Sequence, residues 1–284
     1  MPWAATRRRK SRPSDRAAPF SVATRIASGL FLGVTLVLVT WYGGWPFLAV
    51  WVVAAGLAAR EFYALAGRGG VRPLEIPGVL AAALLVAGVG LRWPAPWLGA
   101  TVAGLIMATL ALLLPAGGMA EARRVLADWG ATVAGVAYVA PPLALLVLLR
   151  AGQFGLGWVI LLFAITWSCD SGAYFAGRAF GRTPFFPLIS PNKTREGAIA
   201  GVLAGAVAAV AAAGVAHLHP LLALAAGGSV AAAAEAGDLA ESLLKRQVGV
   251  KDSGTLIPGH GGLLDRIDSL LFAIVVLFYW RLLT

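Results

Sequence analysis

Long apolar runs recur along almost the whole chain, from about residue 26 to the C-terminus, separated only by short polar intervals. A membrane-crossing helix needs about 20 mostly apolar residues. On that measure the pattern predicts nine helices, at about 26–43, 45–64, 74–92, 96–115, 125–149, 154–175, 197–217, 219–240 and 263–282. Only Arg92-Trp93-Pro94-Ala95-Pro96 divides the third from the fourth, a turn whose tryptophans suit the membrane interface. Gly227-Gly228 and late acidic residues interrupt the eighth segment, which is the least regular of the nine. Small residues such as Gly201-Val202-Leu203-Ala204-Gly205 predict close helix packing in lipid. The internal inverted repeat that many transporters carry is not evident.

Composition agrees with the pattern. Apolar residues make up 59% of the chain and charged residues 13%, against roughly 25% charged in a soluble domain. The expected fold class is therefore all-α, a polytopic integral membrane protein with about nine transmembrane helices and a cytoplasmic N-terminus. Residues 1–24 read as a basic disordered tail, 25–150 as N-terminal transmembrane helices, and 151–284 as a transmembrane catalytic region with a cytoplasm-facing site. The tail has no small-residue cleavage site after the first apolar run, which points to a retained anchor rather than a removed signal.

The single cysteine, Cys169, excludes a disulfide framework. The net charge of +10 does not indicate nucleic acid, because the basic residues are scattered among helix ends. They suit anionic lipids and anionic substrates instead. With the N-terminus inside and nine alternating spans, all of the 23 basic residues except Arg92, Arg150 and Arg281 fall on the cytoplasmic side.

Polar residues gather in two places, and ionisable groups at membrane depth point to function. The first runs from Asp170 at the end of the sixth segment through Arg178 to Ser190, Lys193, Thr194 and Glu196 before the seventh. Hydroxyls, a lysine and free backbone N–H groups at a helix start make a phosphate site. In the second, Glu235, Asp238, Glu241 or Ser242, and Lys245 recur at steps of three and four and share a helix face. Arg246, Lys251, Asp252 and Pro258-Gly259-His260-Gly261-Gly262 follow, and then Asp265, Arg266 and Asp268 open the ninth segment.

Two carboxylate stripes facing each other, without thiolate partners, favour a hard cation such as Mg²⁺ that shares its oxygens with substrate phosphates. Asp238, Asp265 and Asp268 are the expected metal ligands and, with Lys245, the expected catalytic residues. Asp170, Ser190, Lys193, Thr194, Ser242, Arg246, Lys251, His260, Gly261, Gly262 and Arg266 are expected to bind substrate. His260 could donate to a phosphate, transfer a proton or simply cap the following helix.

The block Ser242-x-x-Lys245-Arg246-x-x-x-x-Lys251-Asp252, with His260-Gly261-Gly262-x-x-Asp265-Arg266-x-Asp268, resembles the signature of phosphatidate cytidylyltransferases. Asp170-Ser171-x-Ala173-Tyr174 and Ser190-Pro191-x-Lys193-Thr194-x-Glu196-Gly197 also look like that family's blocks. These motifs cover about residues 170–268; the N-terminal half resembles the family only in being hydrophobic and multi-spanning.

The resemblance implies transfer of CMP from CTP to phosphatidic acid at the inner membrane, giving CDP-diacylglycerol and pyrophosphate. It also implies Mg²⁺ at the aspartates and a K⁺ ion beside it, with a homodimer left open. Two rivals remain at this point: another CTP-using lipid enzyme such as a polyprenol kinase, and an ion-coupled transporter.

Overall fold

The computed structural model describes residues 22–114 and 122–284, and these contain nine α-helices, one short 3-10 turn and a two-stranded hairpin. The helices are α1 (Val22–Tyr42), α2 (Gly44–Arg68), α3 (Glu75–Gly90), α4 (Ala95–Ala111) and α5 (Val125–Ala151), then α6 (Gly155–Phe180), α7 (Arg195–Ala211), α8 (Pro220–Gln247) and α9 (Leu264–Leu283). Each coincides with one of the nine apolar segments. The basic run from Arg7 to Arg16 lies outside the described residues.

Four of these helices, α2, α5, α6 and α8, are long and apolar enough to cross a membrane. The interrupted eighth segment is one of them: α8 runs unbroken for 28 residues through Gly227-Gly228. By contrast α3 and α4 have 16 and 17 residues, roughly 24–26 Å at 1.5 Å per residue, short of a hydrocarbon core of about 30 Å. The chain is a multi-helix membrane protein, and an exact count of nine crossings goes beyond what helix length supports.

Consecutive helices alternate in direction, and side-chain contacts fix which ends share a face. At one end, Asp128 of α5 accepts the Arg72 N–H before α3, and Glu61 of α2 accepts the Leu264 N–H at the start of α9. The C-terminal part of α6, the start of α7 and the late part of α8 meet at the same end around one cavity. At the opposite end, Arg150 of α5 donates to the carbonyls of Thr40 and Trp41, closing the end of α1. Gly43, at φ 64°, lies directly under that guanidinium, where a Cβ would collide with it. There too Arg281 sits 5.7 Å over the Trp158 ring. Arg150 and Arg281 thus gather opposite the cavity, as the charge pattern expects.

The core runs through the middle helices, where Tyr63, Leu143, Leu161, Leu162, Ile165, Leu271 and Ile274 are buried. Helix α1 stands apart, with Leu30, Phe31, Trp41 and Tyr42 between 63% and 76% exposed. Water would penalise that surface, whereas lipid does not.

Small residues set the close packing of α6 on α7. A Cβ on Gly201 would lie 2.8 Å from the Cys169 carbonyl oxygen, and one on Gly172 would lie 2.7 Å from the Ala204 Cβ. Helices approach this closely only where glycine leaves room.

Between α6 and α7 the chain forms strands β1 (Pro184–Phe186) and β2 (Ser190–Thr194), paired antiparallel. The residue pattern predicts a loop here. The two strands hold two prolines and a lysine between them, which gives them little strand propensity.

Candidate active site

Asp170 lies ten residues, roughly 15 Å, before the end of α6, so the cavity it lines reaches well below the helix termini. This cavity encloses about 610 Å³. Its wall carries five carboxylates, Asp170, Glu235, Asp238, Asp265 and Asp268, and three cations, Arg178, Lys193 and Arg266. They come from α6, β2, α8 and α9.

Lys193 is the central cation. Its Nζ lies 2.6 Å from Glu235 Oε2 and 2.7 Å from Asp238 Oδ2, bridging two residues one turn apart on α8. Burial alone would depress this ammonium, but Asp238 and Glu235 outweigh that and hold it above its ordinary value. The Ser242 hydroxyl donates to the other Asp238 oxygen at 3.3 Å and so orients the carboxylate.

Gly237 explains how α8 and α9 come close enough to join these groups. A Cβ there would lie 2.6 Å from the Asp268 carbonyl oxygen. Asp268 is buried; one of its oxygens accepts from the Ser269 N–H at 2.6 Å. Behind it Glu241 is fully buried, with Oε1 lacking a hydrogen-bond partner among the described residues.

Lys245 takes a different place from the one expected, and Asp265, though it lines the cavity, is engaged by its neighbours. Lys245 does not line the cavity; it is buried, donating to Glu241 and, at 2.7 Å, to Asp265 Oδ1. Asp265 further accepts from the Ser253 N–H, the Ser253 hydroxyl at 2.9 Å and the Gly262 N–H at 2.8 Å. Its oxygens are thus occupied by the glycine-rich loop and the lysine. A Cβ on Gly261, at φ +86°, would come 2.8 Å from this carboxylate. Asp265 thereby holds the loop in place.

The remaining expected residues divide. Thr194 lines the cavity and caps α7, accepting the Gly197 N–H at 3.1 Å. That uses one of the N–H groups expected to meet phosphate. Arg266 is exposed at the cavity wall. Arg246 instead ties the β1–β2 turn to the loop after α8, donating to the carbonyls of Ile189 and Val250 at 3.0 Å each. Ser190 and Lys251 stand outside the lining. His260 is also outside, its Nδ1 3.0 Å from the Ser28 hydroxyl on α1.

Three residues were missed. Glu61 of α2 reaches the site from the N-terminal half, accepting the N–H groups of Leu263 at 3.0 Å and Leu264 at 2.7 Å. Ser253 joins it, its hydroxyl 3.2 Å from Glu61 and 2.9 Å from Asp265. Asn192 stands on the cavity wall. A glutamate inside an apolar segment was the available signal for Glu61.

The donor set bears on a divalent cation. Carboxylates outnumber cations on the wall. Such a site attracts positive charge. Among the described residues, however, no three carboxylate, histidine or thiol groups stand ready as a complete metal site. An ion here would take part of its shell from substrate phosphates or water, as Mg²⁺ commonly does.

Fold and site together define a polytopic membrane protein with a charged cavity opening at one helix-end face. The chain belongs to the cytidylyltransferase family, whose sequence profile matches residues 23–283. It is 37% identical over 270 residues to the phosphatidate cytidylyltransferase of Brucella suis biovar 1, covering 91% of this chain and 92% of that one. The phosphatidate cytidylyltransferase of Bacillus subtilis is 42% identical over 132 residues, 45% of this chain and 48% of that one. That of Helicobacter pylori is 47% identical over 121 residues, 42% and 45% of the two chains. The similarity therefore extends into the N-terminal half, beyond the motif-bearing region.

Proposed function

We propose that this protein transfers CMP from CTP to phosphatidic acid, forming CDP-diacylglycerol and pyrophosphate at the cytoplasmic face of the inner membrane. The observation that carries the proposal is Lys193 bridging Glu235 and Asp238 in a cavity shared with Asp170, Asp268, Arg178 and Arg266. The same end of the helices collects most of the chain's basic residues, which supports a cytoplasmic placement.

A phosphate oxygen of phosphatidic acid attacks the α-phosphorus of CTP. The new P–O bond forms as the bond between the α-phosphorus and the bridging oxygen breaks, and that electron pair leaves with pyrophosphate. The lipid phosphate is itself the nucleophile, so no serine or cysteine with an adjacent base is required. Positioning and charge stabilisation do the work.

Lys193, Arg178 and Arg266 are suited to phosphate oxygens, with Asn192 and Thr194 beside them. Asp238 and Asp268, with Asp170 nearby, would hold Mg²⁺, which supplies Lewis-acid stabilisation of the transferring phosphoryl group. Glu241 offers a further oxygen for a K⁺ ion.

The test is pyrophosphate release by purified protein supplied with CTP and Mg²⁺. Release that requires added phosphatidic acid is expected. Absence of release, with ion flux in reconstituted vesicles, would support the transporter reading instead.

A further inference from the structure

One face of α6 belongs to two different environments. Leu156, Ile160, Phe163 and Trp167 follow one another at steps of three and four, and Asp170 and Tyr174 continue the same row. The first four line an apolar cleft between α6 and α1, and the last two line the charged cavity. The cleft encloses about 340 Å³ and adjoins a second of about 410 Å³, the two sharing Val37 and Trp167. No charged side chain lines either cleft. Phe163 and Trp167 stack at 5.2 Å to form part of the floor. On α1 the opposing wall is notched at Gly33, where a Cβ would meet nothing within 4 Å.

We infer that the α1–α6 groove seats an acyl chain of the lipid substrate while its phosphate occupies the charged cavity. The inference rests on the phosphatidic acid reading above and assigns the apolar half of that substrate to a place. Its support is continuity. From Leu156 to Asp170 the row spans 14 residues, roughly 21 Å at 1.5 Å per residue, well over half of a hydrocarbon core of about 30 Å. It ends where the carboxylates and Lys193 begin. An anionic head joined to long apolar chains has the same order of chemistry along its length.

The wholly apolar cleft among α3, α4 and α5, lined by Leu85, Val102, Ile106 and Val136, offers apolar surface as well. No helix that lines it also lines the charged cavity, whereas α6 lines both that cavity and the α1–α6 groove. An acyl chain there would have no route to a headgroup at Lys193.

The test uses the unmodified full-length protein in nanodiscs and phosphatidic acid with a diazirine midway along one acyl chain. Crosslinks mapped by mass spectrometry are expected on α1 and on residues 156–167 of α6. Excess unlabelled phosphatidic acid should compete them away, and phosphatidylcholine should not. Equal labelling by a phosphatidylcholine probe would show ordinary surrounding lipid and overturn the inference, as would labelling confined to the α3–α4–α5 cleft.

A variant gives a second readout. In Gly33→Phe the ratio of kcat/KM for dioleoyl over dihexanoyl phosphatidic acid should fall about tenfold, the worth of roughly two buried methylene groups. An unchanged ratio in a folded variant would count against the groove. Failure of the groove and failure of the proposed reaction separate cleanly. Wild-type turnover without competed crosslinks overturns only the former, and competed crosslinks without any turnover overturn only the latter.

Discussion

The Glu61 carboxylate on α2 accepts the Leu264 N–H at 2.7 Å, joining residues 203 positions apart. With the Leu263 N–H it satisfies two donors at the start of α9, where N–H groups have no carbonyl of their own helix to meet. Glu61 therefore caps the helix that carries Asp265 and Asp268, and it does so from the half of the chain without signature motifs.

Replacing Glu61 by Ala should weaken both the fold and the reaction. Loss of a helix cap costs about 0.5–2 kcal/mol, and hydrogen bonds to a buried charge are worth about 1.5–3 kcal/mol each. Thermal unfolding in detergent should show a clear drop in Tm, with kcat falling in the protein that remains folded. Glu61→Gln, which still offers one acceptor oxygen, should lie between. Wild-type Tm and kcat in Glu61→Ala would remove Glu61 from the site's support.

Lys245 should behave as part of the framework. Glu241 and Asp265 both surround its ammonium, and all three side chains are buried. Removing one partner of a buried ion pair costs about 3–5 kcal/mol, because the remaining charge is left uncompensated. Lys245→Met is thus expected to lose stability heavily, and adding Glu241→Gln with Asp265→Asn should restore part of it. A stable Lys245→Met with only a raised KM would show instead that Lys245 meets substrate.

Lys193 should govern turnover. Asp238 and Glu235 raise its pKa above the ordinary 10.5, so its positive charge is fully present below that value and is lost only as pH rises through the higher folded one. The activity profile should therefore show no break from Lys193 between neutral pH and pH 10. Lys193→Ala should cost about 10²–10³ in kcat/KM, the usual scale for a lost transition-state stabiliser. Arginine, with different geometry, should rescue only partly. A Lys193→Ala enzyme within a few-fold of wild type would contradict this role.

Much of this was legible because membrane residence simplifies the code. Each apolar segment became a helix, since backbone polar groups in lipid must pair internally. The α8 stretch looked weak only because its glycines and carboxylates, read locally, lower hydropathy; packing against α7 and α9 supplies what propensity lacks. Asp170 and Lys193 belong to one polar cluster of the sequence and Asp238 and Asp268 to the other, and the fold brings both clusters to one cavity. Which charge touches which was not legible. Spacing put Lys245 and Asp265 on the right faces but could not show that they satisfy each other. Nor could it place His260 against Ser28, or bring Glu61 across from α2, because both contacts depend on how distant helices pack.

The metal reading separates the aspartates. All three line the cavity, but Asp265 carries the most hydrogen bonds, from Lys245, Ser253 and Gly262, while Asp238 meets only Lys193 and Ser242 among the described residues. Asp238→Asn and Asp268→Asn should each lower kcat by about 10²–10³ and raise the Mg²⁺ concentration for half-maximal activity. Asp265→Asn should chiefly lower Tm. Asp252, exposed beyond the cavity lining, should tolerate Asn with little loss. An Asp265→Asn protein with wild-type Tm but a shifted Mg²⁺ requirement would return Asp265 to the metal.

The central claim is that the cavity joins a nucleotide's α-phosphorus to a lipid phosphate, and tracing the phosphorus tests it most directly. Purified protein is given Mg²⁺, phosphatidic acid and CTP labelled at either the α- or the γ-phosphate. The α-label should enter the lipid phase, with one pyrophosphate released per lipid labelled, and the γ-label should stay in water. Entry of the γ-label into lipid, or retention of both labels in water, would contradict the account.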